Sequence, residues 1–190
     1  IEIPDSVEKI DANAFYNCPK LKTVNIKGQI TGIGEKAFMG CESLESFKIP
    51  TGVDNIGVNT FYGCTALRSI DLGNSLKSIG NMAFYNCTSL GSIYIPSSVE
   101  TIGTYAFYEC KALQSATIGN NVKAIQERTF MNCTGLSNLD LGTGVEEIHN
   151  RAFQGCSSLR ILDSGNVRSI GYETFKDCTG LEEVNFGQEL

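Results

Sequence analysis

A solenoid of short parallel strands is the fold this sequence predicts, and three observations predict it. Eight cysteines stand at positions 18, 41, 64, 87, 110, 133, 156 and 178, which makes six intervals of 23 residues and a last one of 22. Each has a phenylalanine three residues before it and a leucine three residues after it. An alternating apolar pair follows each leucine but Leu159, as in Val24 and Ile26 or Ile93 and Ile95. A unit recurring at so short a fixed period cannot bury its apolar edge alone and buries it against the next copy.

The elements of one unit follow in order. A pair of the form Val-x-x-Ile, from Val7 and Ile10 through Val167 and Ile170, opens the unit as a weaker strand candidate. A turn follows that usually starts with glycine, at Gly34, Gly57, Gly80, Gly103 and Gly171, whereas Gln126 and His149 replace it and so need not share its backbone geometry. Next comes Ala or Thr before the phenylalanine, as in Ala106-Phe107 and Thr129-Phe130. With its cysteine this segment is too short for a long helix and is expected to form one helical or 3₁₀ turn on the convex side. The segment Leu-x-x-Ile-x-Ile alternates with period two and is the best strand. Eight or nine coils stacked at about 4.8 Å make an arc roughly 40 Å long. The seventh unit, Leu159 to Val167, is one residue short and has Ser164 in an apolar slot, which should dent the sheet.

The run from Val99 to Gly119 carries the pattern Val-x-x-Ile-Gly-x-x-Ala-Phe-x-x-Cys-x-x-Leu nearly complete, and Val53 to Gly73 does so too. This pattern resembles the BspA-like, or treponemal-class, leucine-rich repeat over essentially the whole chain. The resemblance implies a right-handed arc or horseshoe with a parallel sheet, carried by secreted or surface proteins of host-associated bacteria and some mucosal protists. It also implies adhesion to host matrix proteins or cells, or coaggregation, and it brings no catalytic residues. The expected organisation is a single solenoid over 1–190, about eight 23-residue repeats. Ile1-Glu-Ile3-Pro4 matches Phe47-Lys-Ile49-Pro50, and Leu190 takes the slot of Val145, so the chain reads as a piece of a longer protein.

Composition narrows the partners. A formal net charge of −6 with scattered basic residues argues against nucleic acid, which needs clustered Lys and Arg. No stretch approaches the roughly 18 consecutive apolar residues of a membrane span. Localisation is expected to be extracellular or at the cell surface, with the signal and anchor outside these residues.

The cysteines share one slot, flanked by core Phe and Leu, where a free thiol acts as a small buried hydrophobe. Disulfides would require alternate coils to differ in geometry, and zinc needs about four clustered ligands where this spacing provides one per coil. His149 lies seven residues before Cys156, but it occupies a turn slot and its cysteine is the repeat cysteine. Asn86-Cys-Thr88 and Asn132-Cys-Thr134 match a glycosylation acceptor only by way of that cysteine. No cofactor, metal site or catalytic constellation is expected.

Function then falls to the outward columns. Between the two apolar strand residues run Asn25, Lys48, Asp71, Tyr94, Thr117, Asp140, Asp163 and Asn185, the expected concave ligand face. Beside them run Thr23, Ser46, Ser69, Ser92, Ser115, Asn138, Ile161 and Glu183. Asp140 and Asp163 are neighbours, as a calcium pair or as solvated carboxylates. A second stripe, Tyr16, Met39, Tyr62, Tyr85, Tyr108 and Met131, fits either half-buried packing along the turn or a partner site. Two readings remain: an adhesion or recognition domain for a protein or glycan of host matrix or cell surface, and an interaction scaffold, outside or inside the cell, attached to an effector or catalytic domain elsewhere.

Overall fold

The computed structural model describes residues 1–186. In chain order its strands are β1 Glu2–Ile3, β2 Asn25–Ile26, β3 Ser46–Lys48, β4 Asn55–Ile56, β5 Ser69–Asp71, β6 Ser78–Ile79, β7 Ser92–Ile95 and β8 Thr101–Ile102. Then come β9 Ser115–Ile118, β10 Ala124–Ile125, β11 Asn138–Asp140, β12 Glu147–Ile148, β13 Ile161–Gly165, β14 Ser169–Ile170 and β15 Glu183–Phe186. From β3 onward a front strand alternates with a two-residue back strand. The front strand follows each leucine, and the back strand ends each Val-x-x-Ile pair, so the weaker candidate is a strand as well. Leu190 lies outside the described residues.

Every pairing is parallel and, apart from the end of β13, joins equivalent residues of successive units, as in Tyr94 with Thr117 and Ile79 with Ile102. Side chains therefore stack in columns, with residues of one column on one face. In β7 the alternation is complete: Ser92 and Tyr94 are exposed while Ile93 and Ile95 are buried. The front ladder breaks between β2 and β3, between β5 and β7, and between β11 and β13.

The segment from the small residue to the cysteine is not helical. It is a chain of turns with two residues per coil in the left-handed region, four apart, such as Asn13 at φ 60° and Asn17 at φ 54°. This geometry turns alternate amides toward the neighbouring coil. Phe15 donates to Ala37 O at 2.8 Å, with Asn13 to Glu35 O and Asn17 to Met39 O on either side. The same three bonds recur at every junction through Phe153 to Thr174 O, so this ladder is unbroken where the strand ladders are not. A helical turn would direct those amides back along its own axis and leave the coils unjoined here.

Phenylalanine rings lie parallel beneath this ladder, with centroids 5.2–5.8 Å apart and planes 3–7° from parallel, from Phe15 to Phe175. Phe47 tilts against Phe38 and Phe61. Where threonine takes the small slot it is buried, and its hydroxyl donates to the carbonyl three residues back, as Thr60 Oγ1 does to Gly57 O at 2.9 Å. The turns at Gln126 and His149 keep the ordinary bonds, with Thr129 donating to Gln126 O at 3.3 Å and Ala152 to His149 O at 3.2 Å. Glycine serves close approach in this slot: a Cβ at Gly103 would sit 2.5 Å from the Asn81 nitrogen.

The short seventh unit does disturb the sheet. The register of β13 on β15 shifts between Asp163 and Gly165, and buried Ser164 donates its hydroxyl to Asn185 O at 2.8 Å. That bond answers the polar group that an apolar slot would leave unsatisfied.

Substitutions at two positions test this account by urea unfolding. Phe107→Ala removes a fully buried ring stacked on both sides and should cost about 3–5 kcal/mol, and a loss below about 1 would place the ring outside the core. Gly63 stands at φ +72° with nothing within 4 Å of a built Cβ, so backbone conformation alone sets its cost. Gly63→Ala should lose about 1 kcal/mol, while Gly63→Asn, the residue at the equivalent Asn86 and Asn132, should stay within about 0.5 kcal/mol of the parent.

Candidate functional site

The front strands place the expected ligand column on one continuous face. Asn25, Lys48, Asp71, Tyr94, Asp140, Asp163 and Asn185 are exposed, Tyr94 at 66%, and Thr117 is half-buried. The structure does not gather them into one site. Lys48 Nζ meets Asp71 Oδ2 at 3.6 Å. The aspartates also have a local task, since each accepts the amide two residues on: Gly73 to Asp71 at 3.0 Å, Gly142 to Asp140 at 2.8 Å and Gly165 to Asp163 at 3.1 Å. Those three glycines have positive φ, so Asp-x-Gly closes β5, β11 and β13.

A depression of about 710 Å³ lies on the C-terminal part of this face. It is lined by Ser115, Ala116 and Thr117 of β9, Asn138, Leu139 and Asp140 of β11, Ile161 and Asp163 of β13, with Ser137, Arg160 and Glu182 at the preceding turns. It spans the break between β11 and β13, and a smaller one of about 300 Å³ lies at the break between β2 and β3. These two depressions of the front face both lie at interruptions of its ladder. Ile161 is 53% exposed there, in a column otherwise of Ser, Thr, Asn and Glu. The expected columns left out Ser137, Arg160 and Glu182. Their own column, Lys22, Glu45, Arg68, Gly91, Gln114, Ser137, Arg160 and Glu182, lies one residue earlier and was the signal for them.

The residues of the Tyr and Met stripe are half-buried apart from Tyr16, which is exposed. Tyr62, Tyr85 and Tyr108 stack at 4.6 Å per step, and burial raises the Tyr85 phenol pKa.

A family model described as the BspA type leucine rich repeat region matches residues 1–114 and 77–190, with 6 copies. The chain belongs to the BspA-type leucine-rich repeat family. The crystal structure of the leucine-rich repeat protein of T. pallidum is 30% identical to it, over 84% of this chain and 77% of that one, with a TM-score of 0.79. A leucine rich cell surface protein of Faecalibacterium prausnitzii is 23% identical over 99% of this chain and 79% of that one, with a TM-score of 0.61. The pneumococcal vaccine antigen PcpA is 21% identical over 98% and 62%, with a TM-score of 0.56. The last two likenesses bear on the fold alone. No curated protein matches the chain significantly.

In this BspA-type solenoid the cysteine column serves packing. Cys41 through Cys178 are buried, and each thiol donates to the phenylalanine carbonyl of the preceding coil, as Cys87 does to Phe61 O at 3.2 Å. Cys18 departs from the expected interior ladder, for it is only half-buried. Burial pushes the Cys41 thiol up to about 11 and the Cys64, Cys87, Cys133 and Cys156 thiols higher than ordinary cysteine. His149 does not pair with Cys156: its Nε2 lies 3.3 Å from Glu147 Oε2, while Cys156 donates to Phe130 O. Among the described residues no group of three or more His, Cys, Asp or Glu could hold a metal ion, and no helix is long and apolar enough to cross a membrane.

Since the thiolate is the reactive form, buried thiols with raised pKa react slowly. At pH 8 a disulfide reagent should modify Cys18 quickly and the other seven only on unfolding. Fast modification of two or more in the folded protein would contradict the buried column.

Proposed function

We propose that this BspA-type domain is a non-enzymatic module that binds a protein or glycan, carried by a bacterial cell-surface or secreted protein and used in adhesion to host matrix or cells, or in coaggregation. One observation carries the reading. The front face varies in charge, size and polarity from unit to unit, and it holds the 710 Å³ depression. The interior columns of Phe, Cys and Leu instead repeat the same residue because stacking demands it. Open depressions on sheet faces suit binding, with an apolar anchor such as Ile161 among polar neighbours. The description of one similar protein as cell surface and of another as a vaccine antigen supports the surface location.

Binding to an array of host matrix proteins and glycans tests the proposal, with Ile161→Glu and a triple variant Tyr94→Ala, Asp71→Ala, Thr117→Ala beside the parent. The expected result is specific binding that Ile161→Glu weakens at least about tenfold. Binding that survives both variants but is lost in Tyr62→Ala would move the site to the Tyr stripe. Absence of binding throughout would favour the scaffold whose activity lies in other domains.

A further inference from the structure

Charge is distributed unevenly along the front face. In the coils of β3, β5 and β7 the outward positions carry Lys48, Asp71, Glu45 and Arg68, two of each sign, with Lys48 and Asp71 paired. In the coils of β11, β13 and β15 they carry Asp140, Asp163, Glu182 and Glu183 against the single cation Arg160. That cation is already engaged. Arg160 Nε and Nη2 donate to Glu182 Oε1 at 3.1 and 2.6 Å. Asp140 and Asp163 have no ion-pair partner among the described residues, although both line the depression. Asp71, in the same column, has one.

We infer that the depression receives a cationic, extended peptide segment of a protein partner, with an Arg or Lys side chain lying over Ile161 and Leu139 and its charged head between Asp140 and Asp163. The inference rests on the reading of this face as a binding surface and names the class of ligand. Three physical points select the cation. A neutral ligand covering the depression would strip water from two neighbouring carboxylates and return nothing to them, and an anionic one would be repelled. A guanidinium or ammonium group answers both, while its methylene stem packs on exposed apolar surface such as Ile161. Each carboxylate is held through Oδ1 by its turn glycine, which limits its side-chain freedom before a ligand arrives.

The test uses fluorescein-labelled nine-residue Gly/Ser peptides bearing no charge, four arginines, four lysines or four glutamates, and neutral and sulfated oligosaccharides, followed by anisotropy at low and high salt. The variants are Asp140→Asn/Asp163→Asn, in which Asn Oδ1 still accepts the glycine amide and the turns are kept, and Glu100→Gln, an exposed carboxylate outside the front columns, as the charge control. The arginine peptide should bind at least about tenfold tighter than the uncharged one, weaken with salt, lose about tenfold in the double variant and change less than about twofold in the control. Peptide binding indifferent to charge, or retained by the double variant, overturns the inference and leaves the binding reading standing. Capture of an oligosaccharide alone, blocked by Ile161→Glu, does the same. If no probe binds, the inference fails, and the matrix array decides the broader reading separately.

Discussion

Each coil is tied to the next by three amides of its small-residue–phenylalanine turn, and the rest of the molecule is arranged around that tie. The left-handed residues exist because of it: Lys36, Met82, Tyr105, Arg128 and Arg151 adopt positive φ at a cost of roughly 1–2 kcal/mol each. A conformation so unfavourable persists only where neighbouring coils over-determine it. The phenylalanine column beneath supplies that determination, since parallel rings 5.2–5.8 Å apart leave one register for the stack. The thiols join the same system, because each phenylalanine carbonyl from Phe15 to Phe153 accepts a thiol from the following coil.

The unbroken turn ladder explains why broken strand ladders are tolerated. Register is held on the other side of the coil, so the front sheet can open between β11 and β13 without loss of the stack. Ser164 and the shifted register of β13 sit beside that opening. The depression is therefore a consequence of where the fold is rigid as much as of what lines it. A β-sheet that carried the whole burden of register could not part its strands there.

The period, the core columns and the parallel strands are legible in the sequence because burial imposes them on every copy. Phe107, Cys110, Leu113 and Ile118 stand where their spacing puts them, all buried. The turn was harder to read. Ala-Phe-x-x-Cys has the three-residue spacing of a helical turn, and the left-handed slots hold Lys, Met, Tyr and Arg, none of which advertises positive φ. The second slot did carry a signal, for Asn17, Gly40, Gly63, Asn86, Asn132 and Gly155 are the residue types that tolerate it. Cys18 is less buried than its column suggested, and its thiol meets the Tyr16 carbonyl of its own coil.

The outward columns were legible as positions and illegible as a site. Asp71, Asp140 and Asp163 look alike in sequence, and all three close their strands through a glycine amide. What separates them is the neighbouring coil. Lys48 stands beside Asp71, whereas Thr117 precedes Asp140 and Asn185 follows Asp163, so those carboxylates keep their charge uncompensated. In a solenoid a residue's meaning is set by the residue one period away as much as by its neighbours in the chain. Reading down columns for unanswered charge, rather than along the chain for motifs, is what locates the anionic end of this face.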